Sequence, residues 1–237
     1  MHQSALKCKQ SIYLYEQCKW SQEDKKGSKL AKKYSELKIL GSVLKEVLDE
    51  IREFSGCQSI SIRLHKSGDF PYVLHKGFPE FFINKENSLN VRDKKGSIVL
   101  DVDGTPFIEC MCGNVLKGRF NPKYPYFTKN GAFWTNSTTL LLESLTEKER
   151  QEIGKTRNTC HDYGYESVAL IPMRADGTII GLIQMNDPRE NMFTPRKIQK
   201  YQSLADHVGA VILNVLGLYE KTGRISNPMS ALKKTKR

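Results

Sequence analysis

Apolar residues recur at alternating intervals of three and four at Leu37, Leu40, Leu44, Val47, Ile51 and Phe54. That rhythm lines one stripe of a helix, which runs from Lys29 until Ser55 and Gly56 stop it. The pattern then changes to period two. Ser59-Ile60-Ser61-Ile62-Arg63-Leu64 alternates as a half-buried strand does, Lys66 to Asp69 has turn composition, and Tyr72 to His75 returns as a hairpin partner. A short helix can open between Pro79 and Phe82. The polar stretch from Asn84 to Pro106 reads as loop. A helix is expected over about 108–117, a strand from Gly131 to Ser137, and a further helix around 146–155, where Thr146 and Glu149 have capping-box spacing. Ser167 to Met173 is a strand, Ala175 to Thr178 a turn, and Ile179 to Asn186 the returning strand. Thr194 and Pro195 have the N-cap and first-position chemistry of a last helix. Tyr201, Ala205, Val208, Ile212, Val215 and Tyr219 then repeat at heptad-like intervals.

The order helix, hairpin, loops with helices, strand, hairpin, helix describes an α+β fold, an antiparallel sheet with helices against it. The two terminal helices can pack together, and their stripes are long enough for a second subunit to complete a bundle. Residues 29–222 form the expected domain, with a basic leader over 1–28 and a basic tail over 223–237. Charge supports that division. The chain carries +11 overall, yet residues 1–45 and 221–237 together hold +12, which leaves the centre near −1. A basic groove in the folded body is therefore not expected, nor is nucleic acid as a partner. No apolar run reaches the roughly 18 residues of a membrane span. The first residues lack the apolar core of a secretory signal, so the cytoplasm is the expected location.

The two hairpin strands, Gly164 to Met173 and Gly177 to Asp187, resemble the closing hairpin of a GAF domain. So do the following Phe193-Thr194-Pro195 and its helix, and the similarity spans about residues 30–220. Cys110-Met111-Cys112-Gly113 and Phe133-Trp134-Thr135-Asn136-Ser137-Thr138 place the resemblance within a subset of bacterial and archaeal sensory proteins, often beside PAS and histidine-kinase modules. The resemblance implies a six-stranded antiparallel sheet with a ligand pocket on one face and a homodimer through the terminal helices. It also implies a downstream signalling protein or domain as partner, and it leaves the ligand unnamed.

Cys8, Cys18 and Cys57 stand apart, whereas Cys110, Cys112 and Cys160 have unusual company. Mid-helix, Cys110 and Cys112 would point to different faces; at a helix start both thiols can turn to one centre. Cys160 adds a third thiolate and the adjacent His161 an imidazole, a donor set suited to iron, zinc or copper(I). Three cysteines and one further ligand suit an iron–sulfur cluster, the first expectation. Haem is the second, with His161 as an axial ligand. The alternatives are three separate buried cysteines acting as small hydrophobes, redox thiol chemistry, or an unknown small ligand. A thiol enzyme resembling free methionine sulfoxide reductase is the enzymatic rival to a sensor. Trp134 and Asn136 offer a pocket an aromatic wall and a polar fixture. Arg157 can hold an anionic group, and Tyr165 can line the same cavity.

Overall fold

The alternation at residues 59–64 forms a strand, β1 (Ser59–Leu64), and the segments read as its partners form β2 (Tyr72–Lys76), β3 (Phe133–Thr135), β4 (Ser167–Ala175) and β5 (Thr178–Asp187). These come from a computed structural model, which describes the backbone of residues 27–221 and the side chains of residues 40–214. The expected leader up to residue 26, the tail from residue 222, and the side chains of Leu37, Val215 and Tyr219 lie outside the described residues. The helices are α1 (Gly27–Ser55), α2 (Glu80–Glu86), α3 (Cys110–Leu116), α4 (Thr138–Ser144), α5 (Glu147–Ile153), α6 (Thr159–Asp162) and α7 (Pro195–Lys221).

The strands form one antiparallel sheet in the order β2-β1-β5-β4-β3. β4 and β5 are joined by Asp176 and Gly177 with φ of 49° and 71°, the left-handed pair that a tight hairpin turn requires. Five strands pair where the resemblance implies six. Beside β3, Phe127 makes one isolated bridge to Phe133, and Trp134 N–H donates to Tyr126 O. Pro125 has no N–H to extend that pairing, so the segment stays a bridge. Residues 90–108, expected as loop, pair only through isolated bridges: Asn90 with Ile108, Arg92 with Ile98, and Leu100 with Pro106.

Both faces of the sheet are covered, which explains why β4 reads as an almost continuous apolar run. The pleat sorts the residues. Ile60, Ile62, Ala169, Ile171, Met173, Ile183 and Met185 face α1 and α7, meeting Leu40, Leu44, Leu48, Ile51, Tyr201, Ala205, Val208 and Ile212. Each such buried aliphatic side chain contributes roughly 1.5–3 kcal/mol. Two positions of the α1 stripe differ from expectation: Leu48 is buried, whereas Phe54 is 58% exposed and offers only its edge to Tyr201. The opposite face carries Val168, Leu170, Leu182 and Phe133 beneath α2, α3 and the 120–165 segment. Among the described residues no helix is long and apolar enough to cross a membrane.

Candidate functional site

The second face holds a cavity of about 80 Å³, and its construction starts at α3. Cys110 is the first residue of that helix and has φ 71°, in the left-handed region. A non-glycine residue there costs on the order of 1–3 kcal/mol. The conformation frees Cys110 from the helical side-chain direction, and it lines the same cavity as Cys112 although two-residue spacing within a helix would separate them. Gly113 follows because nothing larger fits: a Cβ there would lie 2.8 Å from Ile108 O. The short motif Cys-Met-Cys-Gly thus records a thiol pair pressed against a neighbouring backbone.

The second wall is the strap that runs into α6. Cys110 N–H donates to Lys155 O at 3.3 Å. Arg157 clamps the strap by donating from Nε to Glu109 Oε1 at 2.8 Å and from Nη1 to Ser88 O at 2.8 Å. The same guanidinium pairs with Glu86 Oε2 at 3.6 Å, and Thr159 Oγ1 donates to Glu86 Oε1 at 2.9 Å. Glu86, 5% exposed, is therefore a buried carboxylate held from two sides. Asn158, with φ 52°, turns the chain into α6, which carries Cys160 and His161 into the cavity wall.

The sheet supplies the floor. Tyr72 Oη donates to Gln184 Oε1 at 3.0 Å, and Gln184 Nε2 reaches Asn186 Oδ1 at 3.1 Å and Cys160 Sγ at 3.7 Å. Beneath Tyr72 lies Arg63, fully buried, its guanidinium carbon 3.5 Å from the ring centroid. Arg63 donates to the carbonyl oxygens of Phe70, Asn87 and Glu86. The remaining walls are apolar, from Phe82, Phe133, Leu141, Ile153 and Leu170.

Environment separates the three thiols. Cys110 accepts a hydrogen bond from the Cys112 thiol, which outweighs burial and, with the Arg157 N–H, brings its pKa down to about 7. Cys112, as that donor and also buried, is held well above its ordinary value. Burial first, and then the charge on Cys110, pushes Cys160 up to about 12. Near neutral pH Cys110 is thus partly ionised, whereas Cys112 and Cys160 stay protonated. Thr138 Oγ1 donates to Tyr165 O at 2.7 Å, so at 3.2 Å from His161 Nδ1 it acts as acceptor. That arrangement places a proton on Nδ1.

The family model described as GAF domain matches residues 40–212. The chain belongs to the GAF domain family. Similar solved structures include the GAF domain/HD domain protein from Geobacter sulfurreducens, at 15% identity and TM-score 0.47, covering 75% of this chain and 94% of that one. The blue-light absorbing form of the Thermosynechococcus elongatus PixJ GAF domain is similar at 15% identity and TM-score 0.46, with 86% and 98% covered. A type II free methionine-R-sulfoxide reductase from Thermoplasma acidophilum is similar at 12% identity and TM-score 0.47, with 75% and 94% covered. None of the curated proteins matches the sequence.

Within this GAF domain, Cys110, Cys112, Cys160 and His161 line one cavity. The other expected site residues sit elsewhere. Trp134, paired with Ala169 in the sheet, packs on the terminal-helix face; its neighbour Phe133 takes the cavity side because successive strand residues alternate. Asn136 clamps the backbone of Phe193, donating to its oxygen and accepting from its N–H at 2.9 Å each. Tyr165 is buried behind the cavity, its hydroxyl 3.0 Å from Ser59 Oγ and its ring edge-on to Phe82. Arg157 closes the strap and pairs with carboxylates of the protein itself.

Sequence reasoning missed Glu86, Tyr72, Thr138 and Gln184. Only Gln184 carried a signal, as an uncharged polar residue inside an otherwise apolar strand. The donors of the expected cofactors share a cavity, but among the described residues no three His, Cys, Asp or Glu side chains converge to hold a metal ion. At about 80 Å³ the space is also far smaller than a haem. Neither group fits the side chains as they stand.

Proposed function

We propose that this GAF domain is a sensory module that reads a small thiol-reactive or thiol-coordinating ligand in the cysteine-lined cavity and signals through its terminal helices. One observation carries the reading. Two segments some fifty residues apart place Cys110, Cys112 and Cys160 in a single, largely apolar cavity. That space backs onto the same sheet on which α1 and α7 pack from the other side. A ligand that binds two arrangements of that wall unequally shifts the sheet, and with it the helices.

An iron–sulfur cluster or haem would first require the donors to draw together, with expansion of the cavity. Absorption spectroscopy with iron, zinc and acid-labile sulfide analysis on anaerobically purified protein tests both. Iron with sulfide supports the cluster, and a Soret band supports haem. The signalling half is tested by hydrogen exchange of α7 before and after cavity occupation. Altered protection supports it, and identical exchange overturns it. We further propose a homodimer through α1 and α7, consistent with the exposed Phe54 and Val211 on those helices. Sedimentation velocity reads its mass directly.

The second reading is a thiol reductase, favoured specifically by Cys110, whose pKa is brought down to about 7, beside Cys112, which is held well above its ordinary value. Sustained turnover of free methionine-R-sulfoxide with a thiol reductant would establish it in place of the sensor. No turnover, with intact thiols, leaves the sensory reading.

A further inference from the structure

We propose that the cavity is a hydroperoxide-operated switch in which Cys110 is oxidised and Cys112 resolves it to a disulfide across the first turn of α3. The proposal rests on the sensory reading above and names the ligand class of that same site.

The geometry carries it in three steps. First, Cys110 and Cys112 line the same cavity, with Cys110 in the left-handed region at the helix start. In regular helix two-residue spacing directs the side chains apart, and the departure at Cys110 frees its thiol from that direction, as a disulfide to Cys112 requires. Second, the space beside them is small and mostly apolar. A cavity of about 80 Å³ has room beside the thiols for hydrogen peroxide or a short alkyl hydroperoxide. Third, the third thiol is otherwise engaged. Cys160 accepts from Gln184 Nε2 at 3.7 Å and belongs to another segment, whereas Cys112 follows Cys110 on the same helix.

The chemistry balances with the hydroperoxide as the only oxidant. The Cys110 thiolate attacks the outer peroxide oxygen. An S–O bond forms, the O–O bond breaks, and the departing alkoxide takes a proton to leave as an alcohol, or as water for hydrogen peroxide. Cys110 is now a sulfenic acid. The Cys112 sulfur then attacks the Cys110 sulfur. An S–S bond forms, the S–O bond breaks, and hydroxide leaves as water with the Cys112 proton. Two thiols have lost two electrons and one hydroperoxide has gained them.

Closing a ring between positions 110 and 112 changes the backbone at the start of α3. That helix packs on β4 and β5, the strands that bear α7 on their other face. Oxidation therefore acts on the wall through which the sensory reading requires a signal to pass.

The test uses the full chain, fully reduced, with hydrogen peroxide and tert-butyl hydroperoxide as probes. Wild type, Cys112→Ser and Cys160→Ser are followed by thiol counting, dimedone trapping and non-reducing peptide mapping of all six cysteines. Expected are the loss of two thiols per peroxide, a bond joining Cys110 to Cys112, and a trapped sulfenic acid at Cys110 in Cys112→Ser. Cys160→Ser should give the same disulfide.

First oxidation at another cysteine, or thiols that stay intact under both probes, overturns the proposal. Pairing of Cys160 with either partner overturns the assignment of Cys112. Because wild type and Cys160→Ser are both mapped, failure of Cys112→Ser to fold leaves the question decidable. The two readings also fail separately. A cavity that changes α7 exchange on binding a cofactor but resists peroxide sinks the switch and keeps the sensor. A disulfide that forms without altering α7 exchange keeps the chemistry and sinks the sensor.

Discussion

Cys110 shows how much one residue's environment decides. Its backbone sits where side chains are strained, and its sulfur receives a proton donor two residues on. Alkylation of Cys110 by iodoacetamide, located by peptide mass, should therefore rise with pH through an inflection near 7. The lowered value follows first from the Cys112 thiol, so Cys112→Ala should move the inflection upward; an unmoved inflection would show that the backbone N–H of Arg157 suffices. Gly113 carries a steric demand of the same locality. Gly113→Ala places a methyl group 2.8 Å from Ile108 O, and overpacking of that kind costs typically 1–3 kcal/mol. Urea unfolding should show that loss. A neutral result would mean that α3 can retreat from the Ile108 backbone.

At the scale of elements, α5 is a short polar helix whose existence depends on its ends. Thr146 Oγ1 accepts from Glu149 N–H at 3.3 Å, and Glu149 Oε2 accepts from Thr146 N–H at 2.9 Å, the reciprocal capping box that the spacing predicts. Thr146→Ala should cost about 1 kcal/mol, measurable as a lowered urea midpoint with unchanged slope. The strap over the cavity depends on Arg157. Arg157→Gln leaves Glu86 without its cation and Glu109 with only Lys155 at 3.9 Å, and both carboxylates are mostly buried. An unpaired buried group costs on the order of 1–3 kcal/mol, so the strap should loosen and cavity thiols should alkylate several-fold faster. Equal alkylation rates in the two proteins would show that the strap is held by its backbone contacts alone. The elements that sequence reasoning missed, α4 and α6, are short and lack periodicity. α4 is fixed instead by distant groups: Glu166 accepts from Thr139 N–H at 3.1 Å and from Ser137 Oγ at 2.9 Å.

Across the whole molecule, one sheet separates two apolar layers, and function divides along it. The terminal helices occupy one layer and the cavity the other. Periodicity alone determined the strands β1, β2, β4 and β5, the long helices, and the α+β class, because each is a local repeat with one face removed from water. It also singled out Cys110, Cys112, Cys160 and His161 as company worth watching. Which of the remaining residues join them was decided only in three dimensions. Trp134 and Phe133 are adjacent in the chain, yet the pleat sends them to opposite layers. Asn136 and Tyr165 are polar residues absorbed by the scaffold, and Arg157 is absorbed by the strap. Glu86, Tyr72 and Gln184 reach the cavity from three separate elements, through register and packing that no local pattern encodes. Local chemistry names groups that can react. Only the long-range pairing of strands, with the burial that follows from it, decides which of them meet and in what state of ionisation.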